Sequence, residues 1–374
     1  MRILVTGARG FLGRHVTSLL GADDAVTVAT ATRETTADAL RDELARADAV
    51  IHLAGVNRPT DEREFVTGNV ELTRAVADGL RAAGRGAPLV IASSTRAADD
   101  TPYGASKRAA EEAVREYGAR SGAPVAVFRL PNVFGKWSRP FYNSAVATFC
   151  HSIARDLPFD VHDETTKLQL VYGEDVAHAL IAQARGTAAR PAAGELATVE
   201  PVYERTLGQI VALLQQFRAL RTELVLPDFS DTFVRKLYTT YVSFLPVEEV
   251  SYALHQHTDD RGALAELLKS PWFGQVFVSR TKPGITRGNH FHHTKTEKFV
   301  VVEGEAVIRM RPSEGGPVTE IPVRGSDFRV VDIPPGCTHS ITNVGTTDLV
   351  TLFWSSEIFD RARPDTYMLP VVDA

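Results

Sequence analysis

Tyr103 and Lys107 form the clearest acid–base pair in the sequence. Their i, i+4 spacing places both side chains on one face of a helix. A nearby ammonium favours the tyrosinate form and lowers the pKa of the phenol, so the tyrosine can pass a proton to or from a substrate oxygen. The run Ser93-Ser94-Thr95 ends the preceding predicted strand and offers hydroxyl groups that could polarise a carbonyl.

Four residues in the last quarter of the chain have the types and spacing of a metal site: His290, His292, Glu297 and His339. His290 and His292 alternate, so both point to one face of a strand, whereas His293 points the other way. Three imidazoles and one carboxylate suit Zn²⁺, Fe²⁺, Mn²⁺ or Ni²⁺. We predict a divalent metal site, with Zn²⁺ as the expected ion, and keep polar pocket residues without a metal as the alternative.

A glycine-rich segment follows the first predicted strand and opens a predicted helix. Its first glycine permits a tight turn, its second lets a pyrophosphate approach the backbone, and its third allows close packing of helix on strand. The N–H groups at the helix N-terminus then face the phosphates. The residues predicted to line this dinucleotide site are Gly7, Arg9, Gly10, Phe11, Leu12 and Gly13.

The choice between NAD and NADP depends on the end of the second strand. An acidic residue there would bind the ribose 2′-hydroxyl and repel a 2′-phosphate. Residues 28–33 contain no acid and end in Arg33, and Arg9 is a second cation near the same ribose. Both arginines favour NADPH.

The elements that must position these groups differ between the two parts of the chain. In the first part, strands alternate with helical patterns such as Leu72, Val76 and Leu80, which predicts a parallel α/β sheet. The predicted strands are Arg2–Thr6, Ala25–Ala31, Asp48–Ala54, Pro88–Ala92 and Val125–Arg129.

From about Val250 onward, short β-rich runs separated by Gly and Pro turns replace the helical spacing, which predicts an antiparallel barrel or sandwich. The predicted runs are Gln275–Ser279, Lys298–Val302, Ala306–Met310, Arg329–Ile333 and Leu349–Trp354. We predict two domains, residues 1–245 and 246–374, with the mixed stretch 200–245 in the first.

The composition excludes several classes of protein. The 374 residues carry a net charge of −5, which is not the footprint of a nucleic-acid or membrane-surface protein. No apolar run approaches the roughly 20 residues of a membrane span. The two cysteines imply no disulfide framework. We expect a soluble cytoplasmic enzyme.

In order along residues 1–240, the sequence resembles the extended short-chain dehydrogenase/reductases. The matching motifs are TGxxGxxG, HLAG at 52–55, Ser94, YxxxK and RLPNVFG at 129–135. The resemblance implies a Rossmann-type doubly wound sheet, a triad of Ser94, Tyr103 and Lys107, and a cofactor loop at Leu53, Ala54 and Gly55. Ser93 and Thr95 are register alternatives for the serine.

The same resemblance implies that Asn132 contacts the diphosphate of a nucleotide-sugar, with a local turn-forming asparagine as the alternative. Sugar 4,6-dehydratases of this family carry an Asp-Glu pair directly after the active-site hydroxyl, but here Thr95, Arg96 and Ala97 follow Ser94. The missing pair argues against elimination of water, so ketone reduction or 4-epimerisation remains.

The second part resembles both cupin motifs, which implies an all-β double-stranded β-helix barrel around the four metal ligands. Residues 259–266 also resemble the DxRG segment of deoxysugar 3,5-epimerases, themselves cupins, with a salt-bridged turn at Asp260 and Arg261 as the alternative. Such epimerases exchange protons beside a ketone.

An extended reductase fused to a metal cupin resembles the CapF-type capsular polysaccharide synthesis enzymes over the whole chain. Supporting strings are HLAGVNRP (52–59), NVFGKW (132–137), YNSAVATFC (142–150) and KPGITRGNHFHHTKTEKF (282–299). The resemblance implies C3 epimerisation of a UDP-linked 4-keto-6-deoxy N-acetylhexosamine, then C4 reduction with NADPH. The product class is UDP-N-acetyl-6-deoxy-L-talosamine, on the route to UDP-N-acetyl-L-fucosamine, and a cupin-mediated homodimer is expected.

Three other interpretations stay open. The cupin could be a catalytically silent dimerisation module attached to a plain 4-ketoreductase. The first domain could be a 4-epimerase with tightly held NAD, or a non-enzymatic NADP sensor. Retention of Ser94, Tyr103 and Lys107 argues against the sensor.

Overall fold

The computed structural model describes residues 1–192 and 194–372, which form two compact units. The first unit contains Met1–Gln215 and Lys236–Pro246, and the second contains Gln216–Arg235 and the chain from Val247 onward. This division differs from the predicted boundary at 245/246 for residues 216–235. A β-bridge between Val225 and Lys269 joins that stretch to the second unit.

The first unit is built on a parallel sheet. Its strands are β1 (Arg2–Thr6), β2 (Thr27–Ala31), β3 (Ala49–His52), β4 (Leu89–Ser94) and β5 (Val125–Leu130). They lie in the order β2-β1-β3-β4-β5, which confirms the predicted doubly wound arrangement. Every residue of β3 is buried, as expected for a strand covered on both faces.

Helices cover both faces of this sheet. The helices of the chain are α1 (Phe11–Gly21), α2 (Ala37–Arg46), α3 (Arg63–Phe65), α4 (Leu72–Ala83), α5 (Pro102–Ser121), α6 (Ala145–Ala154), α7 (Gly173–Arg185), α8 (Leu207–Thr222) and α9 (Thr232–Val242). Buried residues of α1 and α7 pack on one face, and those of α2, α4 and α5 on the other. Val76 and Leu80 of α4 are buried, as their spacing predicts.

A small second sheet joins β6 (Asn132–Phe134), β7 (Lys167–Tyr172) and β8 (Tyr203–Thr206). β6 and β7 are parallel, and β7 and β8 are antiparallel. Over the described residues, no helix has both the length and the apolar character to cross a lipid bilayer.

Two strand ends differ from the prediction in an informative way. The strand predicted over Asp48–Ala54 ends at His52, because the following residues leave the sheet to pack against Gly7. The strand predicted over Pro88–Ala92 extends to Ser94. Both changes lie at the carboxyl edge of the sheet, where parallel α/β folds bind their ligands.

The second unit consists of antiparallel strands, which confirms the predicted all-β class. The strands are β9 (Gln256–Asp259), β10 (Gly262–Ser270), β11 (Gly274–Thr281), β12 (Thr286–Phe291), β13 (Glu297–Glu303), β14 (Glu305–Pro312), β15 (Thr319–Arg324), β16 (Val330–Ile333), β17 (Cys337–Asn343), β18 (Leu349–Ser355) and β19 (Tyr367–Met368). One sheet has the order β16-β13-β18-β11-β10-β9 and the other β15-β14-β17-β12-β19.

The five β-rich runs expected from the sequence are strands β11, β13, β14, β16 and β18. β12 is the strand expected at His290 and His292, although it ends at Phe291 and leaves His292 outside. It was not among the apolar runs because its sequence, TRGNHF, shows no apolar alternation, and its pairing shifts register between Gly288 and His290. Asn289 adopts φ +59°, a left-handed conformation that bends the strand there. The irregular strand carries His290 and leads directly to His292.

Candidate functional sites

A backbone cradle lies at the carboxyl end of β1. Gly7 has φ +67°, and a Cβ there would lie 2.7 Å from the backbone nitrogen of Ala54. A Cβ on Gly13 would lie 2.1 Å from the carbonyl oxygen of Gly7. α1 starts after Gly10, which has no side chain that could cap the helix, so the first N–H groups of the helix are available to phosphate oxygens. The predicted glycine positions thus fit a pyrophosphate, and Phe11 and Leu12 open the helix.

Both arginines of the expected 2′-phosphate site are exposed, but their surroundings differ. The Arg9 guanidinium donates to both carboxylate oxygens of Glu34, at 2.8 and 2.7 Å. Among the described residues, no carboxylate lies within 4.0 Å of Arg33. Glu34 escaped the sequence interpretation because it lies one residue beyond the segment tested for an acid. A 2′-phosphate would compete with Glu34 for Arg9.

The cofactor loop at Leu53 and Ala54 is held by a buried hydrogen-bond chain. Their backbone N–H groups both donate to Thr6 Oγ1, at 3.2 Å each. The Thr6 hydroxyl donates to His52 Nδ1 at 2.7 Å, and His52 Nε2 donates to Thr73 Oγ1 at 2.9 Å. Burial lowers the pKa of His52 to about 3, so this imidazole stays neutral with both nitrogens paired.

Asn69 holds the next part of the loop. It lies in a π-helical turn, Val66–Glu71, accepts from Val56 N–H at 2.7 Å and donates to Val56 C=O at 3.1 Å. A Cβ on Gly55 would lie 2.8 Å from Asn69 Oδ1 and 3.6 Å from Lys107 Nζ. Glycine at 55 therefore leaves room for the Asn69 amide, and Lys107 lies close to the same loop. Sequence reasoning missed Asn69, although π-turns often occur at functional sites.

Two of the predicted triad residues, Ser94 and Tyr103, interact where β4 ends and α5 begins. Tyr103 lies in the first turn of α5, and its hydroxyl donates to Asn57 Oδ1 at 3.3 Å. Burial raises the pKa of Tyr103, and the Ser94 hydroxyl and Arg96 only partly oppose it. Lys107 does not contribute to this shift. The sequence predicted that Lys107 would lower the pKa of the phenol, but in the structure that pKa is raised.

Lys107 and the two neighbouring serines have distinct environments. Lys107 Nζ donates to Ala92 C=O at 3.3 Å, and burial lowers its pKa to about 8. Ser93 Oγ donates to the buried Glu111 at 2.6 Å, so this hydroxyl is engaged away from the phenol. Ser94 is half-buried and affects the Tyr103 phenol directly. Thr95 is exposed and starts a 3₁₀ turn.

Cationic groups surround Tyr142 in the same unit. Arg58 and Arg139 lie over its ring, with guanidinium carbons 5.6 and 5.2 Å from the centroid. Neither arginine has a carboxylate within 4.0 Å among the described residues. Asn132 is exposed at the start of β6, where its amide donates to Gln169 C=O at 3.3 Å. Arg58 follows Asn57, the partner of the Tyr103 hydroxyl.

In the second unit, the four predicted ligands converge. One ligand atom from each of His290, His292, Glu297 and His339 lies within 4.8 Å of the others. His290 and His339 pair across β12 and β17, and Glu297 is the first residue of β13. His292 follows the end of β12. His293, which was expected to point away, is not in this group, and its ring makes edge-on contacts with Phe291 and Tyr367.

Two of the three imidazoles in this group have a buried ring nitrogen without a hydrogen-bond partner. Glu297 Oε2 lies 3.3 Å from His292 Nε2 and 3.4 Å from His339 Nε2, yet both nitrogens are buried without a hydrogen bond. Burial and the neighbouring imidazoles lower the pKa of His290 to about 4. Burial would raise the pKa of Glu297, but contacts with the imidazoles lower it to about 2. Lone pairs facing a carboxylate fit a bound cation, and three nitrogens with one oxygen fit Zn²⁺.

The segment that resembles the DxRG motif is a turn between β9 and β10. Arg261 Nε donates to Asp259 at 2.9 Å, two residues earlier. The arginine is thus part of a salt-bridged turn, although its partner is Asp259 and not Asp260.

Two sequence profiles match separate parts of the chain. The NAD dependent epimerase/dehydratase family matches residues 3–192, and the polysaccharide biosynthesis C-terminal domain matches residues 257–367. The first match includes the glycine cradle and the triad residues, and the second includes the four clustered ligands.

The chain is also similar over its whole length to two bacterial proteins. It is 44% identical over 371 residues, 99% of both chains, to the UDP-2-acetamido-2,6-beta-L-arabino-hexul-4-ose reductase of Pseudomonas aeruginosa. It shares 42% identity and a TM-score of 0.91 with the crystal structure of the capsular polysaccharide assembling protein CapF from Staphylococcus aureus, covering 99% of this chain and 100% of that one.

UDP-glucuronic acid 4-epimerase from Bacillus cereus, bound to NAD, covers 59% of this chain and 84% of its own at 19% identity and a TM-score of 0.52, which shows the fold alone. The CapF-type resemblance is confirmed, and the reductase family implies a nicotinamide cofactor, which the glycine cradle fits. The chain belongs to the NAD dependent epimerase/dehydratase family and carries the polysaccharide biosynthesis C-terminal domain.

Proposed function

We propose that this protein is a bifunctional nucleotide-sugar enzyme of surface polysaccharide precursor synthesis. Its cupin domain epimerises C3 of a UDP-2-acetamido-2,6-dideoxy-4-hexulose, and its reductase domain reduces the C4 ketone. The observation that carries the proposal is the presence of two constellations in one chain. These are the interacting Ser94–Tyr103 pair with a glycine cradle in the first unit, and the cluster of four metal-ligand types in the second.

In the reductase site, Tyr103 donates the proton to the C4 oxygen. Burial raises its pKa, which keeps the phenol protonated at neutral pH, as a proton donor requires. Ser94 polarises the ketone, and Lys107 adds positive charge beside the Gly55 loop. The nicotinamide cofactor supplies hydride when bound. Arg33, which has no carboxylate partner among the described residues, favours NADPH as that cofactor, and Arg9 would add to it once a 2′-phosphate displaces Glu34.

The UDP moiety is a dianionic ligand that needs cations. Arg58 and Arg139 have no carboxylate partner among the described residues. Both lie over the ring of Tyr142, which affects the pKa of Tyr103. We assign these arginines and Asn132 to the diphosphate. A ligand held there would place its sugar toward the phenol.

In the cupin site, His290, His292, Glu297 and His339 would hold a divalent metal, with Zn²⁺ expected. When bound, the metal supplies positive charge that stabilises negative charge developing on the substrate. The C4 ketone acidifies the C3 proton, so exchange at C3 is feasible only while the ketone is present. Reduction removes this acidity and fixes the new stereocentre, so the second reaction traps the product of the first.

The product class under this proposal is UDP-N-acetyl-6-deoxy-L-talosamine, on the route to UDP-N-acetyl-L-fucosamine. We propose that the enzyme works in the cytoplasm as a homodimer formed through its cupin domain, without nucleic-acid partners.

Incubation with the UDP-linked 4-keto-6-deoxy N-acetylhexosamine in D₂O tests both activities. Deuterium at C3 without NADPH, together with NADPH oxidation when it is added, is the expected result. Oxidation without C3 exchange would reduce the protein to a 4-ketoreductase with a structural cupin. Turnover without net NADPH consumption would indicate a 4-epimerase, and absence of both signals would contradict the substrate.

A further inference from the structure

The loop between β12 and β13 is held by one carboxylate from far along the chain. Asp365 Oδ1 accepts from the backbone N–H of His293 at 2.9 Å. Its Oδ2 accepts from Thr294 N–H at 3.0 Å, from Lys295 N–H at 2.9 Å and from the Thr294 hydroxyl at 3.0 Å. Three successive backbone donors that no strand uses are therefore satisfied by a single side chain.

The backbone of the same residue contacts a clustered imidazole. His292 Nδ1 lies 2.5 Å from the Asp365 carbonyl oxygen. Because a carbonyl can only accept, Nδ1 carries the proton, and the lone pair of the neutral ring resides on Nε2. That buried Nε2 lies 3.3 Å from Glu297 Oε2 and has no hydrogen bond. The contact with Asp365 thus sets both the tautomer and the direction of the ring.

The contacts around Asp365 hold its backbone in an unfavourable conformation. Its φ is +40°, in the left-handed region that non-glycine residues adopt at a cost of roughly 1 kcal/mol or more. A buried ammonium adds a further link, because Lys295 Nζ, 5% exposed as a residue, donates to Pro364 C=O at 2.9 Å. The segment and the loop therefore hold each other over residues 292–295.

We propose that Asp365 is a positioning residue of the metal site: it is no ligand, but it anchors the 292–295 loop and presents His292 Nε2 to the metal. The inference rests on the metal site of the proposed function, and it assigns a role there to a residue that is not one of the four ligands. Outer partners of metal-bound histidines typically contribute about 10- to 100-fold to metal affinity.

The test measures zinc affinity of the full-length protein by competition with a chromogenic chelator, for the wild type, Asp365→Asn and Asp365→Gly. Asparagine keeps the tolerance for positive φ but loses the charge and one acceptor. Glycine relieves the backbone and removes every side-chain acceptor. Asp360→Asn is the matched control, because the Asp360 carboxylate lies in the same segment but contacts Ala362 N–H, at 2.8 Å, and Arg363 Nε, at 3.6 Å, and not the 292–295 loop.

We expect both Asp365 variants to bind zinc at least tenfold more weakly, and their Co²⁺ complexes to show an altered visible spectrum because one ligand is reoriented. Asp360→Asn should match the wild type. Lower thermal stability of the metal-free variants with unchanged zinc affinity and an unchanged Co²⁺ spectrum would reduce Asp365 to a structural residue and overturn the proposal. A wild type that binds neither ion would overturn the metal site itself.

Discussion

Two buried carboxylates, one in each unit, have opposite surroundings. Glu111 is completely buried and accepts from Ser93 Oγ at 2.6 Å, from Arg129 at 2.9 and 2.8 Å and from Arg115 at 3.2 Å. Each of its oxygens thus has a charged or hydroxyl donor. The cluster is complete without any ligand.

Glu297 is nearly as buried but faces two imidazole nitrogens that are not hydrogen-bonded to it. Native proteins leave few buried polar atoms without partners, and those that remain require an explanation. The contrast teaches that burial of a carboxylate alone does not identify a functional site. What distinguishes Glu297 is that the atoms around it lack partners in the protein.

The largest expected effect is a loss of ketone reduction in the first unit that leaves the metal site of the second unit unchanged. Tyr103→Phe should lower kcat for NADPH-dependent ketone reduction by about 10²- to 10⁴-fold, because it removes the proton donor. Zinc affinity and deuterium exchange at C3 should stay at wild-type values. Spectrophotometric NADPH oxidation and the D₂O assay measure these quantities.

Tyr117→Phe is the matched control for that variant. Tyr117 lies on the same helix and is buried, and its hydroxyl donates to Ala87 C=O at 2.8 Å. We expect a loss of stability without a selective loss of kcat. If Tyr103→Phe reduced the ketone within threefold of the wild-type rate, Tyr103 would not be the proton donor.

A pair of glutamine substitutions tests the carboxylate comparison directly. Glu111→Gln should lower the free energy of unfolding of the first unit by about 1.5–3 kcal/mol, because hydrogen bonds to charged groups contribute that much, and should leave zinc affinity unchanged. Glu297→Gln should weaken zinc binding at least 100-fold and leave the stability of the metal-free protein equal or higher. Urea unfolding and chelator competition measure the two effects.

The opposite pattern would break the comparison. If Glu297→Gln destabilised the metal-free protein as strongly as Glu111→Gln does, the imidazoles would already satisfy that carboxylate. The group of four would then be a structural polar cluster.

Local motifs made much of this predictable. The residues of the glycine cradle are only a few positions apart in the sequence, and the same holds for the Tyr103–Lys107 pair and for His290 and His292. Spacing alone therefore shows, for each of these motifs, that its own residues lie together. The parallel and antiparallel classes of the two units followed from hydrophobic periodicity, which tertiary packing here preserved.

What could not be predicted depends on contacts between distant segments. Asn57 and Asn69 act on Tyr103 and on the cofactor loop from positions without any motif, and Asp365 contacts a loop about 70 residues earlier. The direction of the Tyr103 pKa shift was also missed, because it depends on burial, which sequence spacing does not report.

The smallest expected effect concerns Lys107, which is buried near the saturated Glu111. Burial lowers the pKa of Lys107 to about 8 from 10.5, and Glu111 only partly opposes this. Between these two values the unfolded chain binds more protons than the folded chain, so the contribution of Lys107 to stability rises with pH. Below pH 8 the penalty for burying the ammonium is nearly constant.

Within the range from pH 7 to pH 9, the free energy of unfolding of Lys107→Met should therefore compare best with that of the wild type at pH 7. This difference in stability should shrink by about 1 kcal/mol between pH 7 and pH 9. Urea unfolding of both proteins across this range measures the difference. Lys167→Met is the control, because Glu204 raises the pKa of the exposed Lys167, which places its titration above this range. The difference in free energy of unfolding between Lys107→Met and the wild type could instead be independent of pH. That result would mean that Glu111 fully offsets the cost of burying the Lys107 ammonium, and that the two arginines do not saturate the Glu111 carboxylate.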